Sequence, residues 1–500
     1  MATVSCGIFP VIQISRDAGT PLHHQVYAGF RDAILRGEMD PGQQVPSSRA
    51  LAAELEISRF PVLDAYAQLH VEGYFQTRKG AGTFVSSSLI PLRGNCGHSV
   101  SKVEGARQAS RRSARYPKVE SDPWSDGWGA FTVHQPALDR FPFETWSKLV
   151  ARHSRTPRAN AIFQIDPLGL MPLRDAVCSY LRTARAVRCD PEQVMIVSGS
   201  QQALDITTRV LLDAGDRAWI EEPCCPLARA ALVGSGCRVV PVPVDEEGID
   251  VAAGVKRARS ARAAFVTPSY HYPLGVTMSI SRRLQLLDWA QKASTWIVEN
   301  DYDSEFRFER TPIPSIQGLD SAARVIYIGT FSKVLFPSMR LAYLVIPADL
   351  VDHFRSVRMA MDVSPSYLLQ EVMADFMSSG HFSRHIRRMR ALYKSRRSAL
   401  VESLRGEFGD CLEVQGAEAG LRLSVTMPDS FDDREVAKRA AAENLWLWPL
   451  SPCWSNGHSR QGLILGFGNI DEDNMLPAVR HLRRILALTD GSNSKANKVH

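Results

Sequence analysis

Two periodicities divide this chain. Near its beginning, apolar residues recur at helical spacing: Leu22, Val26, Phe30 and Ile34 make one stripe, which predicts a helix. The stretch RGEMDPGQQVP, with its Gly and Pro, ends it. Ser47 or Ser48 can cap a second helix whose inward face is Leu51 and Leu55. The tripeptide EIS turns the chain into a third helix, with Val62, Ala65, Tyr66 and Leu69 on one face. YFQTR, a Gly-rich turn over Lys79–Gly82 and TFV then read as a β-hairpin. From about residue 130 the pattern changes. Short apolar runs, QVMIVSG, RAWIEEP, RVVPVPVD, AAFVTPS, TWIVEND, RVIYIGT and LAYLVIP, alternate with helical stretches such as QQALDITTRVLLDAG and SRRLQLLDWAQKA. That alternation predicts an α/β unit with a largely parallel sheet.

A chain of 500 residues is too long for one compact domain. The patterns place a first domain at 1–87, a linker at 88–125 and a second domain at 126–500. The second has a large part over about 150–350 and a smaller α+β subdomain over about 351–490. The net charge of +6 decides little, but its distribution helps. Residues 1–87 carry 7 Lys+Arg against 8 Asp+Glu, whereas 88–121 carry 7 against 2. The basic stretch is rich in Ser, Gly and Arg and has no apolar period, so it reads as a flexible, solvated spacer rather than a dedicated DNA-binding arm. There is no internal repeat. Without a run of about 18 apolar residues no membrane span is expected, and no signal peptide is read at the N-terminus. The nine cysteines are scattered, none in CxxC spacing, which fits reduced thiols and a cytoplasmic protein. No metal site is expected.

Short helices joined by a tight turn and followed by a hairpin make a winged helix-turn-helix. Its third helix would lie in a major groove with Ser58, Arg59 and Phe60 at the leading end. Ser47 and Arg49, at the start of the preceding helix, are placed for phosphate. Arg78, Lys79 and Gly80 form the wing tip, which can approach the backbone or the minor groove. Any one of these arginines alone is an ordinary surface charge; the ordered combination is what points to double-stranded DNA. The segments VPSSRALAAELEISR, AYAQLHVEGYF and GAGTFV resemble the GntR-type winged-helix domain of bacterial transcription factors, over about residues 10–87. One departure stands out: Phe60 and Pro61 replace residues that are commonly small and polar in that family. Pro is sterically acceptable in a first helical turn, but the missing Asn or Thr donor implies a different base preference.

In the second domain the unusual residues fall at the carboxyl ends of the predicted strands, where such sheets gather ligands. After MIVSG, Ser200 and Gln201 open a helix whose N–H groups and dipole favour a phosphate. After VIYIG come Thr330, Ser332 and Lys333, then Arg340. Hydroxyls and an arginine suit a phosphate, which leaves Lys333 for an aldehyde. After TWIV comes ENDYDSEF, where a carboxylate could hold a protonated pyridine nitrogen and Tyr302 a phenolic oxygen. TPSYHYPLG adds His271 and Tyr272. Alone, a strand-end lysine is more often a surface charge; the combination reverses that reading.

These segments resemble a fold-type I pyridoxal-phosphate aminotransferase over about 131–485. DPLGLMPLRDAV, VSGSQQALDI, PSYHYPLGVTMSISRR, DYDSEF and GTFSKVLFPSMRLAYLVIP behind a winged helix are closest to the MocR-type regulators of the GntR superfamily. The resemblance implies a transcription factor whose enzyme-like domain senses pyridoxal 5′-phosphate, an amino compound, or both, acting as a head-to-tail homodimer. It further implies that Lys333 is the catalytic-type lysine that attaches the cofactor. Ser200, Gln201, Ser332 and Arg340 would hold its phosphate, Tyr302 would meet the ring oxygen, and Arg229 a ligand carboxylate.

Three departures from the pattern bear on chemistry. The family commonly reads Glu-Asp-Asp-Tyr where this chain has Glu299-Asn300-Asp301-Tyr302, so Asn300 stands where an acid normally faces the ring nitrogen. Such an acid keeps the ring protonated as an electron sink. Asp301 would compensate only by facing the same way, and strand neighbours face oppositely. Cys225 stands where an aromatic residue usually stacks on the ring. Ile464, in GLILGFG, stands where aminotransferases usually place a carboxylate arginine; Arg460 is the expected substitute, with Arg422 the alternative. A working aminotransferase with an attached DNA-binding domain is the competing reading, and a scaffold with no cofactor a third.

Overall fold

The computed structural model describes residues 12, 14–16, 18–88, 110–111, 113–116, 122–125, 127–155, 166–308, 313–416, 419–455 and 460–496. The chain forms two compact units, Met1–Gln108 and Ala109–His500.

In the first unit α1 (Leu22–Leu35), α2 (Ser48–Glu54) and α3 (Arg59–Val71) are followed by β1 (Phe75–Arg78) and β2 (Gly82–Val85). Ser47 is the residue that caps α2, its Oγ accepting from the Ala50 N–H at 3.2 Å. The predicted stripes converge: Val26, Phe30, Ile34, Leu51, Val62, Ala65, Leu69, Phe75 and Val85 are buried together. Phe30, Tyr66 and Phe75 meet edge to face at centroid distances of 5.6, 5.4 and 5.2 Å. Tyr66 is only half-buried because its hydroxyl reaches out to the Pro46 carbonyl at 2.9 Å. The hairpin pairs Phe75 with Val85 and Arg78 with Gly82, and Gly80 takes φ 79° at its tip.

The second unit is built on an eight-stranded sheet in the order β3–β10–β9–β8–β7–β4–β5–β6. Its strands are β3 (Val194–Val197), β4 (Arg217–Glu222), β5 (Arg238–Asp245), β6 (Gly248–Ile249), β7 (Ala263–Val266), β8 (Trp296–Asp301), β9 (Val325–Thr330) and β10 (Ala342–Val345). The seven predicted runs are all strands. The sheet is mixed: β10 runs antiparallel to both β3 and β9, and β6, too short to be read from sequence, closes a hairpin on β5. Both faces are buried. Helix Ser200–Leu211 covers one, with Ala203, Leu204 and Ile206 packed on Val197, Ile220, Val298 and Ile328. On the other, helix Met171–Arg185 packs Leu173, Val177 and Leu181 near Tyr327 and Tyr343, and Trp219 stacks on Trp289 at 3.7 Å.

A second sheet, β11 (Glu413–Gln415), β12 (Arg422–Thr426), β13 (Trp448–Pro449) and β14 (Gly462–Gly466), is antiparallel in the order β11–β12–β14–β13. Helices His381–Phe408 and Glu472–Ala496 share a core with it, Met389, Tyr393, Met475 and Val479 clustering with Leu423, Val425, Leu463 and Leu465. Much of the predicted linker, including 89–109 and 117–121, lies outside the described residues. Its Ser113–Arg115 turn departs from the free-spacer expectation, since it packs on helix Pro226–Ser235. There a Cβ added to Gly234 would lie 2.1 Å from the Tyr116 ring. No described helix is long and apolar enough to cross a membrane, and the described residues contain no cluster of His, Cys, Asp and Glu suited to a metal.

Candidate functional site

The first unit presents its predicted contacts outward. Ser47, Arg49, Ser58, Arg59, Phe60, Arg78, Lys79 and Gly80 are all exposed. Arg59 is not free to wander, because its Nε donates to Ser48 Oγ at 3.1 Å, which ties the start of α3 to the start of α2. Phe60 is 77 % exposed, an unusual position for an aromatic ring. Arg78 lies over the Phe84 ring at 4.6 Å, so the wing tip holds its cation by packing as well as by charge.

In the second unit the lysine sits where three segments distant in sequence converge. Lys333 Nζ donates to His134 Nδ1 at 2.8 Å and lies 4.6 Å from the centre of the Tyr302 ring. Desolvation lowers the Lys333 ammonium to about 8; Asp303 opposes the shift and Arg422 adds to it. His134 is held well below its ordinary value by burial, then by the charges of Lys333 and Arg422. It is therefore a neutral acceptor. His134 takes φ 67° and touches Tyr272 and Trp448 at 5.4 and 5.5 Å. Nothing local in TVHQP marks it in the sequence: it reaches the lysine only through the fold.

Beside the lysine is a cradle for an anion. Ser332 Oγ is buried with no partner. Gly199, at φ 101°, precedes helix Ser200–Leu211, and a Cβ there would lie 3.1 Å from the Arg340 guanidinium. A glycine is thus needed both for the backbone and for the close approach of Arg340. The first N–H groups of the helix, at Ser200 and Gln201, face the same end. The Gln201 side-chain amide donates to the Leu227 carbonyl at 3.0 Å, which turns it toward helix Pro226–Ser235. Thr330 Oγ1 accepts from the Ser332 N–H at 3.3 Å and shapes the turn.

Strand β8 separates Asn300 from Asp301. Asn300 shares the Val298 face, which packs on helix Ser200–Leu211 and hence on the cradle side. Asp301 points into the other layer. It accepts from Arg185 Nε at 2.7 Å, from the Tyr327 hydroxyl at 2.5 Å and from Ser304 Oγ at 3.1 Å. Burial favours its neutral form, but the Arg185 charge and hydrogen bonds from Ser269, Tyr327 and Arg185 keep it below the ordinary carboxylate value. Asp301 is therefore turned away from the face that Asn300 shares.

Several residues expected at a ligand already hold protein partners, although His271 Nδ1 and Arg229 Nε are buried without one. The His271 imidazole bonds the Pro223 carbonyl through Nε2 at 3.0 Å, and burial lowers it to about 3. It supports the loop, and its carbonyl accepts from Arg422 at 3.3 Å. Arg229 donates to the Cys453 carbonyl at 2.5 Å and lies 3.4 Å from Glu222. Arg460 is exposed, two residues ahead of β14, whereas Arg422 is fully buried beside Tyr302. The arginine that the small sheet contributes is therefore Arg422, from β12. Ile464 packs with Tyr272, Tyr302, Leu450 and Cys453, and Cys225 lies against the same cluster. Tyr272 and Tyr302 belong to it; Asp303, Cys453, Trp448 and Trp454 were not foreseen.

Known proteins can now be set beside this geometry. Residues 22–85 match the bacterial regulatory proteins of the gntR family, and residues 135–460 match aminotransferase class I and II. The probable rhizopine catabolism regulatory protein MocR of Rhizobium meliloti is 37 % identical over 484 residues, 97 % of each chain. This chain belongs to the MocR-type regulators of the GntR superfamily. The transcriptional regulator TauR of Rhodobacter capsulatus is 32 % identical over 86 % of this chain and 88 % of its own. Among solved structures, the Pyrococcus horikoshii kynurenine aminotransferase superposes with a TM-score of 0.69 at 26 % identity, covering 76 % of this chain and 96 % of its own. The Thermus thermophilus α-aminoadipate aminotransferase, complexed with N-(5′-phosphopyridoxyl)-L-leucine, gives 0.69 at 27 % identity over 76 % and 98 %. As a MocR-type regulator the chain joins a DNA-binding winged helix to a fold-type I aminotransferase-like domain, which ties the exposed cations of one unit and the half-buried lysine of the other to one regulatory protein.

Proposed function

We propose that this regulator holds pyridoxal 5′-phosphate on Lys333 and uses the site to sense an amine, with DNA affinity as the output. One observation carries the reading: Lys333, lowered to about 8 and bonded to a neutral His134, stands beside an anion cradle whose Ser332 hydroxyl is buried and unpartnered. The residues fit the cofactor. Ser332, Arg340 and the N–H groups of Ser200 and Gln201 would hold the phosphate; Tyr302 would meet the ring oxygen and Asn300 the ring nitrogen. When bound, pyridoxal phosphate supplies an aldehyde that couples reversibly to primary amines and a ring that accepts electrons.

This chain's own residues favour the first of those capacities. A lysine near 8 is partly neutral at physiological pH and so nucleophilic. His134 orients Nζ without competing for its charge. Asn300 offers an amide where a carboxylate would hold a ring proton, so the site is built to bind more than to turn over. The winged helix reads an operator in double-stranded DNA through α3 and the wing. A head-to-tail homodimer in the cytoplasm would present paired winged helices; an amine that prefers one arrangement of the dimer changes DNA affinity, and DNA changes amine affinity by the same factor. A working aminotransferase is the second reading, and Asn300 is the residue against it.

The test is Lys333→Ala. With cofactor added, the wild type should acquire visible absorbance, faster as pH rises through about 8, where Nζ loses its proton. The variant should stay folded by circular dichroism and stay colourless. An unchanged spectrum in the variant removes Lys333 from the role.

A further inference from the structure

Of the arginines near Lys333, Arg340 faces the anion cradle, whereas Arg422 is already answered by an acid. Arg422 and Asp303 are both fully buried and lie 3.2 Å apart. The other amino group of Arg422 faces the His271 carbonyl and the Tyr302 hydroxyl, each at 3.3 Å. Its guanidinium is packed against the rings of Tyr270, Tyr272 and Tyr302 at 4.5, 4.7 and 5.4 Å. Arg229, the other arginine expected to meet a carboxylate, is offset by Glu222 at 3.4 Å. Ile464 is fully buried in the cluster with Tyr272 and Tyr302, and Arg460 is exposed ahead of β14. The described residues of this cluster thus offer aromatic rings, thiols and hydroxyls, but no cation whose charge is left over for a ligand.

We infer that the amine read by this site lacks a carboxylate: the pocket takes a neutral body carrying a primary amine, and discriminates against α-amino acids. The inference rests on the proposed cofactor reading. A ligand carboxylate approaching Arg422 would put a second acid on one guanidinium inside a desolvated cluster, leaving a net buried negative charge, which is strongly disfavoured. Removing the carboxylate removes that conflict and leaves the amine to react and the body to pack on Tyr272, Trp448 and Trp454. Asp303 is the positioning residue in this scheme: it neutralises Arg422, which in turn braces the rings.

The experiment uses the full chain loaded with pyridoxal 5′-phosphate. Matched pairs, methylamine with glycine, 2-aminoethanol with serine and tyramine with tyrosine, are titrated by visible spectrum and by calorimetry. The carboxylate-free member of each responding pair should half-saturate at a concentration at least about tenfold lower, equivalent to about 1.4 kcal/mol. Ile464→Arg should narrow or reverse the ratio. Asp303→Asn, which adds no bulk, should shift it the same way by releasing the Arg422 charge. Equal or tighter binding of the amino acids by wild-type protein overturns the inference, as does coloured protein that answers to no amine in any pair. Protein that never becomes coloured fails the cofactor reading itself, and the inference with it.

Discussion

The two units carry their functional residues in opposite ways. In the winged helix every side chain assigned to DNA is exposed, on a short element that would exist without it. Its core, from Val26 to Val85, contains none of them. In the aminotransferase-like unit the site is set into the core: Arg422 and Asp303 are fully buried, Lys333 and His134 are partly buried, and Arg340 is exposed. Lys333 meets His134 across 199 positions, and Arg422 meets Asp303 across 119. A substitution in the first unit therefore reports recognition almost alone. One in the second changes packing, charge balance and chemistry together, and removing one partner of a buried pair such as Arg422–Asp303 costs about 3–5 kcal/mol of stability. Asn300 is partly exposed and uncharged, which makes it a place to separate chemistry from folding.

Asn300→Asp should have the largest effect on the comparison. On the proposed reading, a carboxylate on that face of β8 would supply a ring-nitrogen partner that Asn300 does not. Preorganised electrostatics of that kind is worth several kcal/mol, or on the order of hundreds-fold or more in rate. Single-turnover conversion of an amine that binds should be slow in the wild type and fast in the variant, with the melting temperature little changed. Brisk wild-type turnover, indifferent to the substitution, would show that the ring nitrogen has another partner and that this unit works as an enzyme.

The sequence was legible where the chemistry is local. Ser332–Lys333 follows its strand directly, Ser47 caps its helix, and Asn300 can be assigned a face from strand alternation alone. It was not legible where a long closure decides. Two arginines, Arg422 and Arg460, compete for the small sheet; only the register that pairs Arg422 with Gly466 on β14 and buries it beside Tyr302 separates them. His271 looked like a ligand because it sits between tyrosines at a strand end, yet its ring turns to the Pro223 carbonyl. His134 carries no local sign at all.

Smaller effects are expected on the DNA side. Arg59, held by Ser48, is placed to read a base edge, so Arg59→Ala should weaken operator binding by ~1–3 kcal/mol and relax preference at one position. Lys79→Ala should instead weaken all sequences alike and reduce the salt slope by about one unit, the signature of one phosphate contact. If both variants kept operator affinity, the outward-facing residues of this unit would not be its DNA contacts, and the contrast between the units would fail.

The smallest effect is the sharpest test of what Phe60 does. It occupies the second position of α3, 77 % exposed, and Leu63, three residues on along the same side, is 43 % exposed. An apolar pair at the leading end of a recognition helix has little to gain from water. In a major groove the apolar feature on offer is the thymine C5-methyl. A half-site should therefore carry thymine opposite Phe60. Replacing that thymine by uracil deletes one methyl group and nothing else, and should cost about 0.8 kcal/mol, about fourfold in affinity. In Phe60→Ala the same replacement should cost close to nothing, because the ring that covered the methyl is gone. Equal losses in the two proteins would mean that the methyl is read by another residue or through DNA shape, and that Phe60 is exposed for a different reason.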